Sequence, residues 1–187
     1  MGYKLFDEEN VEVTPSDLQN KGDWCMHGEK KERVFVRKYG SVLNVKINPE
    51  KDYNRYAPDL INTSTKKYVD LKTQNSPFFQ AQSRYSLDPQ FTVVFNTKDR
   101  QRYQDNYPDL EIYFWVDWKA VRFEGHRGQS ISVDPMIGVW HITFSHLNDL
   151  CQVAPIHSYR QRRNDKRGNA KASYLLDLRE GFTRIIP

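Results

Sequence analysis

The stretch from Leu110 to Val121 alternates apolar and polar side chains more clearly than the rest of this 187-residue chain. Successive side chains of a β-strand point to opposite faces, so the pattern predicts a strand with one face in a hydrophobic core. Trp115 is then expected on the polar face of that strand. The apolar residues at every second position are Leu110, Ile112, Phe114, Val116 and Trp118.

Other patterns along the chain predict a mixture of short strands and helices. Residues 97–107 are polar and helix-like, whereas residues 28–40 suit either a helix or a strand. Residues 174–178 and 182–186 are expected to pair with each other near the C-terminus. This mixture predicts an α/β or α+β fold with a mixed β-sheet. Further strands are predicted at 42–47, 59–63, 67–72, 91–95 and 138–144.

Composition narrows the class of protein. The chain is 38% hydrophobic, 28% charged and 13% aromatic, which is typical of a folded protein and not of a disordered one. Its length suits one domain spanning residues 1–187. No apolar run approaches the roughly 18 residues of a membrane span, and Cys25 and Cys151 are too few for a disulfide framework. We therefore expect a reduced, cytoplasmic protein that does not bind membranes.

A basic cluster lies at residues 157–171, in a chain whose formal net charge is only +4. The cluster contains a single acid, Asp165, and its Gly168 and asparagines favour a loop over a helix. Such a loop suits contact with a polyanion, and a solvated surface loop is the alternative interpretation. The basic residues are Arg160, Arg162, Arg163, Lys166, Arg167 and Lys171.

Two carboxylates and a lysine converge in the predicted hairpin of residues 59–72. A turn separates Asp59 from Asp70, and neighbouring strands lie about 5 Å apart, so both carboxylates can meet at one end of a sheet. Asp70 and Lys72 are two residues apart and therefore share a face. Two carboxylates can hold a divalent ion, and a nearby cation stabilises charge developing on a phosphate. The pattern indicates metal-dependent phosphodiester hydrolysis, with a surface hairpin carrying an Asp–Lys pair as the alternative.

A second set, Asp109 with Asp117 and Lys119, does not meet this geometry. Both aspartates lie along one continuous predicted strand, because Asp109 directly precedes residues 110–121 and Asp117 lies within them. Eight residues at about 3.3 Å each separate them by roughly 26 Å, so they cannot share an ion. Asp117 and Lys119 are therefore expected on the solvent face of that strand.

The first set resembles the active-site motif of the PD-(D/E)xK nuclease superfamily. That superfamily includes type II restriction endonucleases, archaeal Holliday-junction resolvases and phage exonucleases. Pro58-Asp59, ten intervening residues, Asp70-Leu71-Lys72 and then Thr73-Gln74 carry the resemblance. It covers roughly residues 21–75 and implies a restriction endonuclease-like core, with a central mixed sheet flanked by helices.

Members of this superfamily often carry a glutamate on a helix before the motif. Lys21-Gly22 and the later Glu32-Arg33 are similar to the resolvase opening, although Gly22 lies further from Glu32 than in that pattern. Glu32 is the candidate, and it would reach the metal through water or hold a second ion. Glu29 is the reserve, and Glu50 or Asp52 are further alternatives.

The resemblance also implies a role for each motif residue. Asp59 and Asp70 would ligate Mg²⁺, or Mn²⁺ in its place, together with the backbone carbonyl of Leu71, because hard cations prefer oxygen ligands. Lys72 would position or polarise the attacking water and stabilise the phosphorane-like transition state. Gln74 shares the face of Lys72 and would touch the water or the scissile phosphate.

These roles imply an endonuclease that hydrolyses phosphodiester bonds in DNA, duplex or branched, by restriction-type or structure-specific cleavage. The basic loop at residues 157–171 would grip the phosphate backbone, and Arg84 is a further candidate contact. Small nucleases of this class often act as dimers, so a homodimer is one expected assembly. The alternative is a non-catalytic nucleic-acid-binding or partner-binding protein on a degenerate nuclease scaffold.

Overall fold

A computed structural model describes residues 3–13, 21–125, 128–159 and 172–187, and for residues 21–30 the backbone alone. The described residues form four α-helices and twelve β-strands. The helices are α1 (Lys21–Leu43), α2 (Ala81–Tyr85), α3 (Thr97–Asn106) and α4 (Phe144–Val153). The strands are β1 (Lys4–Phe6), β2 (Val45–Ile47), β3 (Leu60–Asn62), β4 (Tyr68–Gln74), β5 (Thr92–Asn96), β6 (Glu111–Asp117), β7 (Arg122–Glu124), β8 (Ser130–Ser132), β9 (Ile137–Thr143), β10 (Ile156–His157), β11 (Ser173–Asp177) and β12 (Thr183–Ile186).

Six of these strands form the central sheet, in the spatial order β12-β9-β6-β4-β3-β2. β4 and β6 run parallel, whereas the other neighbours in this sheet run antiparallel. The chain crosses from β4 to β6 through α2, β5 and α3. Parallel neighbours need such a crossover, because a tight turn can join only antiparallel strands. The predicted mixed sheet in a mixed α/β protein is confirmed.

β6 lies in the middle of this sheet and is covered on both faces. The five apolar residues that alternate between positions 110 and 118 are all buried, as predicted. The expectation that Trp115 lies on a polar face is wrong, because α1 covers that face. The Trp115 ring centroid lies 5.6 Å from that of Phe35 and 6.1 Å from that of Tyr39 on α1.

α1 shows that the ambiguous residues 28–40 are helical. Phe35 and Tyr39 are four residues apart, so both lie on the helix face that packs against the sheet. Asn44 ends the helix with a left-handed φ of 54°. The following strand returns close to the helix at Gly40, where a Cβ atom would lie only 2.9 Å from the Val45 carbonyl oxygen.

The opposite face of the central sheet packs against α3, α4 and a second sheet of order β10-β11-β5. β11 belongs to that second sheet, whereas β12 pairs with β9 at the edge of the central sheet. The predicted pairing of residues 174–178 with 182–186 is therefore wrong. β11 is buried along its whole length and needs partners on both sides, which a two-stranded hairpin at the chain end does not provide.

A third, small sheet of order β1-β7-β8 completes the described part of the chain. It packs around Phe79 and Phe123, whose ring centroids lie 5.8 Å apart. None of the helices in the described ranges is both long enough and apolar enough to cross a bilayer.

Candidate active site

The pairing of β3 with β4 brings the two predicted metal-binding aspartates together. The antiparallel register pairs Leu60 with Val69, and continued by one residue it sets Asp59 opposite Asp70. β3 does not extend to Asp59. The Asp59 carboxylate instead takes the place of a strand partner, because its Oδ2 accepts a hydrogen bond of 3.1 Å from the Leu71 N–H.

The backbone of Leu71 faces the same edge of β4 as Asp59. The N–H and C=O groups of one strand residue point to the same side of the strand. Since the Leu71 N–H donates to Asp59, the Leu71 carbonyl points to the same side of β4. β3 begins only at Leu60, so this carbonyl has no β3 residue opposite it. A carbonyl oxygen and two carboxylates thus lie at the start of β3, next to the middle of β4.

Asp70 is a buried acid in the middle of a strand, with a side chain only 4% exposed. Its Oδ2 lies 2.8 Å from the Lys72 ammonium nitrogen. The angles of that approach do not make a hydrogen bond, and this oxygen has no other hydrogen-bond partner. The two groups therefore form a close ion pair, and Asp70 Oδ2 has no directed hydrogen bond.

Lys72 forms its directed contacts with α3. Its ammonium nitrogen lies 2.6 Å from Asp99 Oδ2 and donates to the Tyr103 hydroxyl at 3.1 Å. Arg102 contacts Asp99 Oδ1 at 3.2 Å and the Tyr103 hydroxyl at 2.8 Å. The Asn96 side chain accepts from the Lys98 N–H and thereby starts α3 at Thr97, which places Asp99 in its first turn, facing the sheet.

Burial and charge change the proton affinities of these groups in opposite directions. Burial raises the pKa of Asp70 and of Asp59, because the charged carboxylate loses water; Lys72 opposes both shifts. Burial alone would lower the pKa of Lys72, but Asp70 and Asp99 override it and hold that pKa well above its ordinary value. Burial would raise the pKa of Asp99, but the charge of the Lys72 ammonium outweighs burial and lowers that pKa.

A second lysine, Lys51, links the first aspartate to α1. Its ammonium nitrogen lies 2.6 Å from Asp59 Oδ1 and 2.5 Å from Glu32 Oε2, and all three side chains are at most 20% exposed. Lys51 lies in a 3₁₀ turn, Pro49–Asp52, which Asn48 begins by accepting from the Glu50 N–H. Sequence reasoning missed Lys51, because the motif contains no signal for it.

The contacts of Lys51 distinguish among the candidate glutamates. Glu32 is joined to Asp59 through the Lys51 ammonium, whereas the Glu50 carboxylate accepts from the Tyr68 hydroxyl. The Glu29 side chain lies outside the described residues, and Asp52 is exposed. Of the described candidates, Glu32 is therefore the carboxylate that the fold connects to Asp59.

Gln74 makes a structural contact at the end of β4. Its Nε2 donates to the Val94 carbonyl at 3.1 Å, and its Oε1 accepts from the Val94 N–H at 3.3 Å. The amide thus joins β4 to β5 across the gap between two sheets. A contact between Gln74 and the reacting water would require these hydrogen bonds to open.

The donor atoms at this edge suit a hard divalent cation by their chemistry. Asp59, Asp70 and the Leu71 carbonyl offer oxygen ligands only, and Asp70 Oδ2 is a buried oxygen without a directed hydrogen bond. Lys51 and Lys72 contact the two carboxylates. Within the described ranges, no group of three or more Asp, Glu, His or Cys side chains is arranged to hold a metal.

The predicted nucleic-acid contacts are described only in part. Arg84 is exposed in the last turn of α2. The pKa of His157 is lowered mainly by burial of that histidine and, to a smaller extent, by the charge of Arg84. Tyr85, the residue after Arg84, is hydrogen-bonded to His157 over 2.9 Å, so Arg84 lies near the end of the described range 128–159. Arg160, Arg162, Arg163, Lys166, Arg167 and Lys171 lie outside the described residues.

The second Asp-x-Lys set lies apart from this site, as predicted, but the expected solvent face is wrong for Asp117, whose side chain is only 26% exposed on the face of β6 that α1 covers. Asp117 and Lys119 form their own ion pair of 2.8 Å at the end of β6, and the Lys119 side chain is 67% exposed. Asp109 is exposed at the opposite end of that strand.

Comparison with known proteins adds no relative, since neither the family models nor the curated proteins give a match to this chain.

Proposed function

We propose that this protein is a Mg²⁺-dependent DNA endonuclease of the PD-(D/E)xK type, with Mn²⁺ as a substitute metal. The observation that carries the proposal is the register that sets Asp59 opposite Asp70, with Lys72 on the same strand. A surface hairpin would not bury an aspartate to 4% exposure while leaving one of its oxygens without a directed hydrogen bond.

The fold around these residues supports a restriction endonuclease-like core. α1 precedes three antiparallel strands, β2, β3 and β4, and a crossover through α3 leads to the parallel strand β6. This arrangement is a mixed sheet with helices on both faces. The candidate residues come from α1, the start of β3 and the middle of β4, so they meet where β3 and β4 separate.

In this proposal the acidic residues hold the cation. Asp59, Asp70 and the Leu71 carbonyl would bind it directly, and Glu32 would do so through water. A bound Mg²⁺ would supply Lewis-acid activation of a water molecule and neutralise charge on the phosphate. Glu32 and Asp59 can take part only if Lys51 withdraws its ammonium from between them.

Lys72 provides a positive charge beside the reacting phosphate. Asp70 and Asp99 keep its ammonium charged, and Tyr103 restricts its position. A fixed ammonium can hydrogen-bond the attacking water and stabilise negative charge that develops on a phosphate oxygen. Asp99 and Tyr103 are therefore positioning residues, because they act through Lys72.

The proposed partner is DNA, duplex or branched, held by the basic loop at residues 157–171 and by Arg84. Phosphate contacts of this kind orient the substrate and make binding sensitive to salt. A homodimer would bring two sites together and could therefore cut both strands of a duplex.

A non-catalytic binding protein is the second candidate, and one observation favours it. Each of Glu32, Asp59, Asp70 and Asp99 already has an ion-pair partner, which is either Lys51 or Lys72. Ion pairs of this kind hold the carboxylates together without any metal. Under this alternative the carboxylates would contribute to stability alone.

A cleavage assay separates the two candidates. Supercoiled plasmid, linear duplex, a four-way junction and single-stranded DNA are each incubated with Mg²⁺, Mn²⁺ or EDTA. The site variants are Asp70→Asn and Lys72→Met, and the matched control is Asp117→Asn with Lys119→Met, which alters an Asp-x-Lys of the same spacing on the surface. We expect metal-dependent products from wild type and control and none from the site variants. A salt-sensitive gel shift without products would support the binding protein.

A further inference from the structure

Two exposed tyrosines lie beside the candidate site. Tyr53 is 81% exposed and Tyr56 is 57% exposed, which are the largest values for any aromatic residue among the described residues. Tyr56 is three residues before Asp59, so their Cα atoms are at most about 11 Å apart. Tyr53 is two residues after Lys51, whose ammonium contacts Asp59.

The segment that carries these tyrosines is held in place by its own hydrogen bonds. The Asn48 Nδ2 donates to the Pro58 carbonyl at 3.0 Å and so joins the two ends of the segment. Within it the Tyr53 N–H donates to the Glu50 carbonyl at 3.2 Å, and the Tyr56 N–H donates to Asn54 Oδ1 at 3.1 Å. The rings are thus presented to solvent on an ordered backbone, and little order has to be gained on binding.

One exposed arginine lies in the tyrosine segment, and two more lie on α1, the helix whose Glu32 contacts Lys51. Arg55 is exposed, and its guanidinium carbon lies 5.1 Å from the Tyr56 ring centroid. Arg33 and Arg37 are also exposed and lie one turn apart on α1, where Arg33 follows Glu32 directly. Asp52 is the exposed acid in the tyrosine segment. Aromatic rings interleaved with arginines are typical of surfaces that bind single-stranded nucleic acid.

We propose that Tyr53 and Tyr56 stack against unpaired bases of a single-stranded DNA segment next to the scissile phosphate. The inference rests on the proposed function and names its substrate class. Bases of an intact duplex are stacked on one another and offer no free face to a protein ring, whereas unpaired bases do. The substrate is therefore single-stranded DNA or branched DNA with a single-stranded arm, and not an intact duplex.

Binding in EDTA tests the stacking without any cleavage. Fluorescein-labelled single-stranded and blunt duplex DNA of equal length are titrated with protein, and fluorescence anisotropy gives Kd. The variants are Tyr53→Ala, Tyr56→Ala and the corresponding Phe variants, which keep the ring. Tyr3→Ala is the matched control, because Tyr3 is 51% exposed and lies against Phe123 of the small sheet.

We expect wild type to prefer the single strand, and each Ala variant to bind it about 5- to 100-fold more weakly. The Phe variants and Tyr3→Ala should stay within about 2-fold of wild type, since the stacking surface is kept. Equal binding of single strand and duplex by wild type, or unchanged binding by both Ala variants, would overturn the inference and leave the tyrosines to contact a protein partner.

A parallel Mg²⁺ assay on the same oligonucleotides distinguishes this failure from failure of the proposed function. Cleavage of the duplex by both Ala variants at the wild-type rate would retain the nuclease and remove the substrate class proposed here. Tyrosine-dependent binding of the single strand without cleavage of any substrate would retain the stacking surface and remove the nuclease.

Discussion

The ammonium nitrogen of Lys51 lies 2.6 Å from Asp59 Oδ1, although Lys51 is not part of the motif that contains Asp59. The same ammonium lies 2.5 Å from Glu32 Oε2. Lys51 therefore holds two carboxylates together from different elements, in the way that a bound cation would. Under the proposed function, metal binding should therefore depend on a residue that the sequence motif does not include.

Replacing Lys51 with Met should strengthen the binding of divalent cations. Without the ammonium, Glu32 and Asp59 repel each other, and a divalent cation relieves that repulsion. One unit charge at about 4 Å is worth about 1 kcal/mol even in water, so half-saturating Mg²⁺ should fall about 5-fold or more. The measurement is the rise in Tm with Mg²⁺ concentration. A higher Mg²⁺ requirement than in wild type would mean that Lys51 supports metal binding.

If the proposed function holds, Asp99→Asn should slow cleavage without changing the proposed metal ligands. Asp99 contacts the Lys72 ammonium at 2.6 Å, and when its charge is lost Asp70 is the remaining anionic partner of Lys72, beside the Tyr103 hydroxyl. A displacement of about 1 Å in a reacting group can cost about 100-fold in rate, so we expect a loss of about 10- to 100-fold in kcat with little change in KM. Asp105→Asn, on the exposed side of α3, is the control. An equal loss in both variants would contradict the positioning role.

Gln74→Leu should lower stability more than activity. The substitution leaves the Val94 N–H and carbonyl without their side-chain partner, which typically costs about 1–3 kcal/mol in the free energy of unfolding. Urea denaturation measures this cost, and Gln82→Leu on the exposed face of α2 is the comparison. Loss of cleavage with unchanged stability would instead give Gln74 the contact with water or phosphate that the resemblance implies.

Phe35→Ala should test how firmly α1 is held against the sheet. Phe35 is fully buried among residues of β4 and β6 and lies three residues after Glu32, on the same helix face. Removing such a ring costs about 3–5 kcal/mol in the free energy of unfolding. Val42→Ala, at a position 67% exposed on the same helix, should change stability little. Thermal and urea unfolding of both variants provide the measurement.

Stability should fall at mildly acidic pH because of His157. Burial, and to a smaller extent the charge of Arg84, lowers the pKa of His157 below the ordinary 6.5. The imidazole is also hydrogen-bonded to the Tyr85 hydroxyl over 2.9 Å. Below pH 6.5 the unfolded chain takes up a proton that the folded protein resists, so the free energy of unfolding decreases as pH falls through that value. His141 adds in the same direction, since burial lowers its pKa as well.

The variant His157→Gln should therefore reduce the change in Tm between pH 7.5 and pH 5.5, and it should leave the part due to His141. Differential scanning calorimetry across this range gives the comparison. A slope identical to that of wild type would show that His157 does not contribute.

Sequence reasoning predicted those features that depend on neighbouring residues in the chain. The alternation through β6 is local, and so is the spacing that sets Asp70 and Lys72 on one strand face after a turn from Asp59. It misplaced Trp115, because the pattern of one strand does not reveal that α1 covers its second face. It also paired residues 174–178 with 182–186, because closeness in the chain suggests a hairpin when no other partner is known.

By itself, the sequence determined that Asp59, Asp70 and Lys72 meet in one hairpin, since strand register and side-chain alternation follow from local geometry. Only the tertiary structure decided which charges surround them. Lys51 reaches Glu32 and Asp59 from a turn, and Asp99 and Tyr103 reach Lys72 from a helix 27 and 31 residues further along. Such contacts depend on how the helices pack on the two faces of the sheet, and that packing is a property of the whole chain.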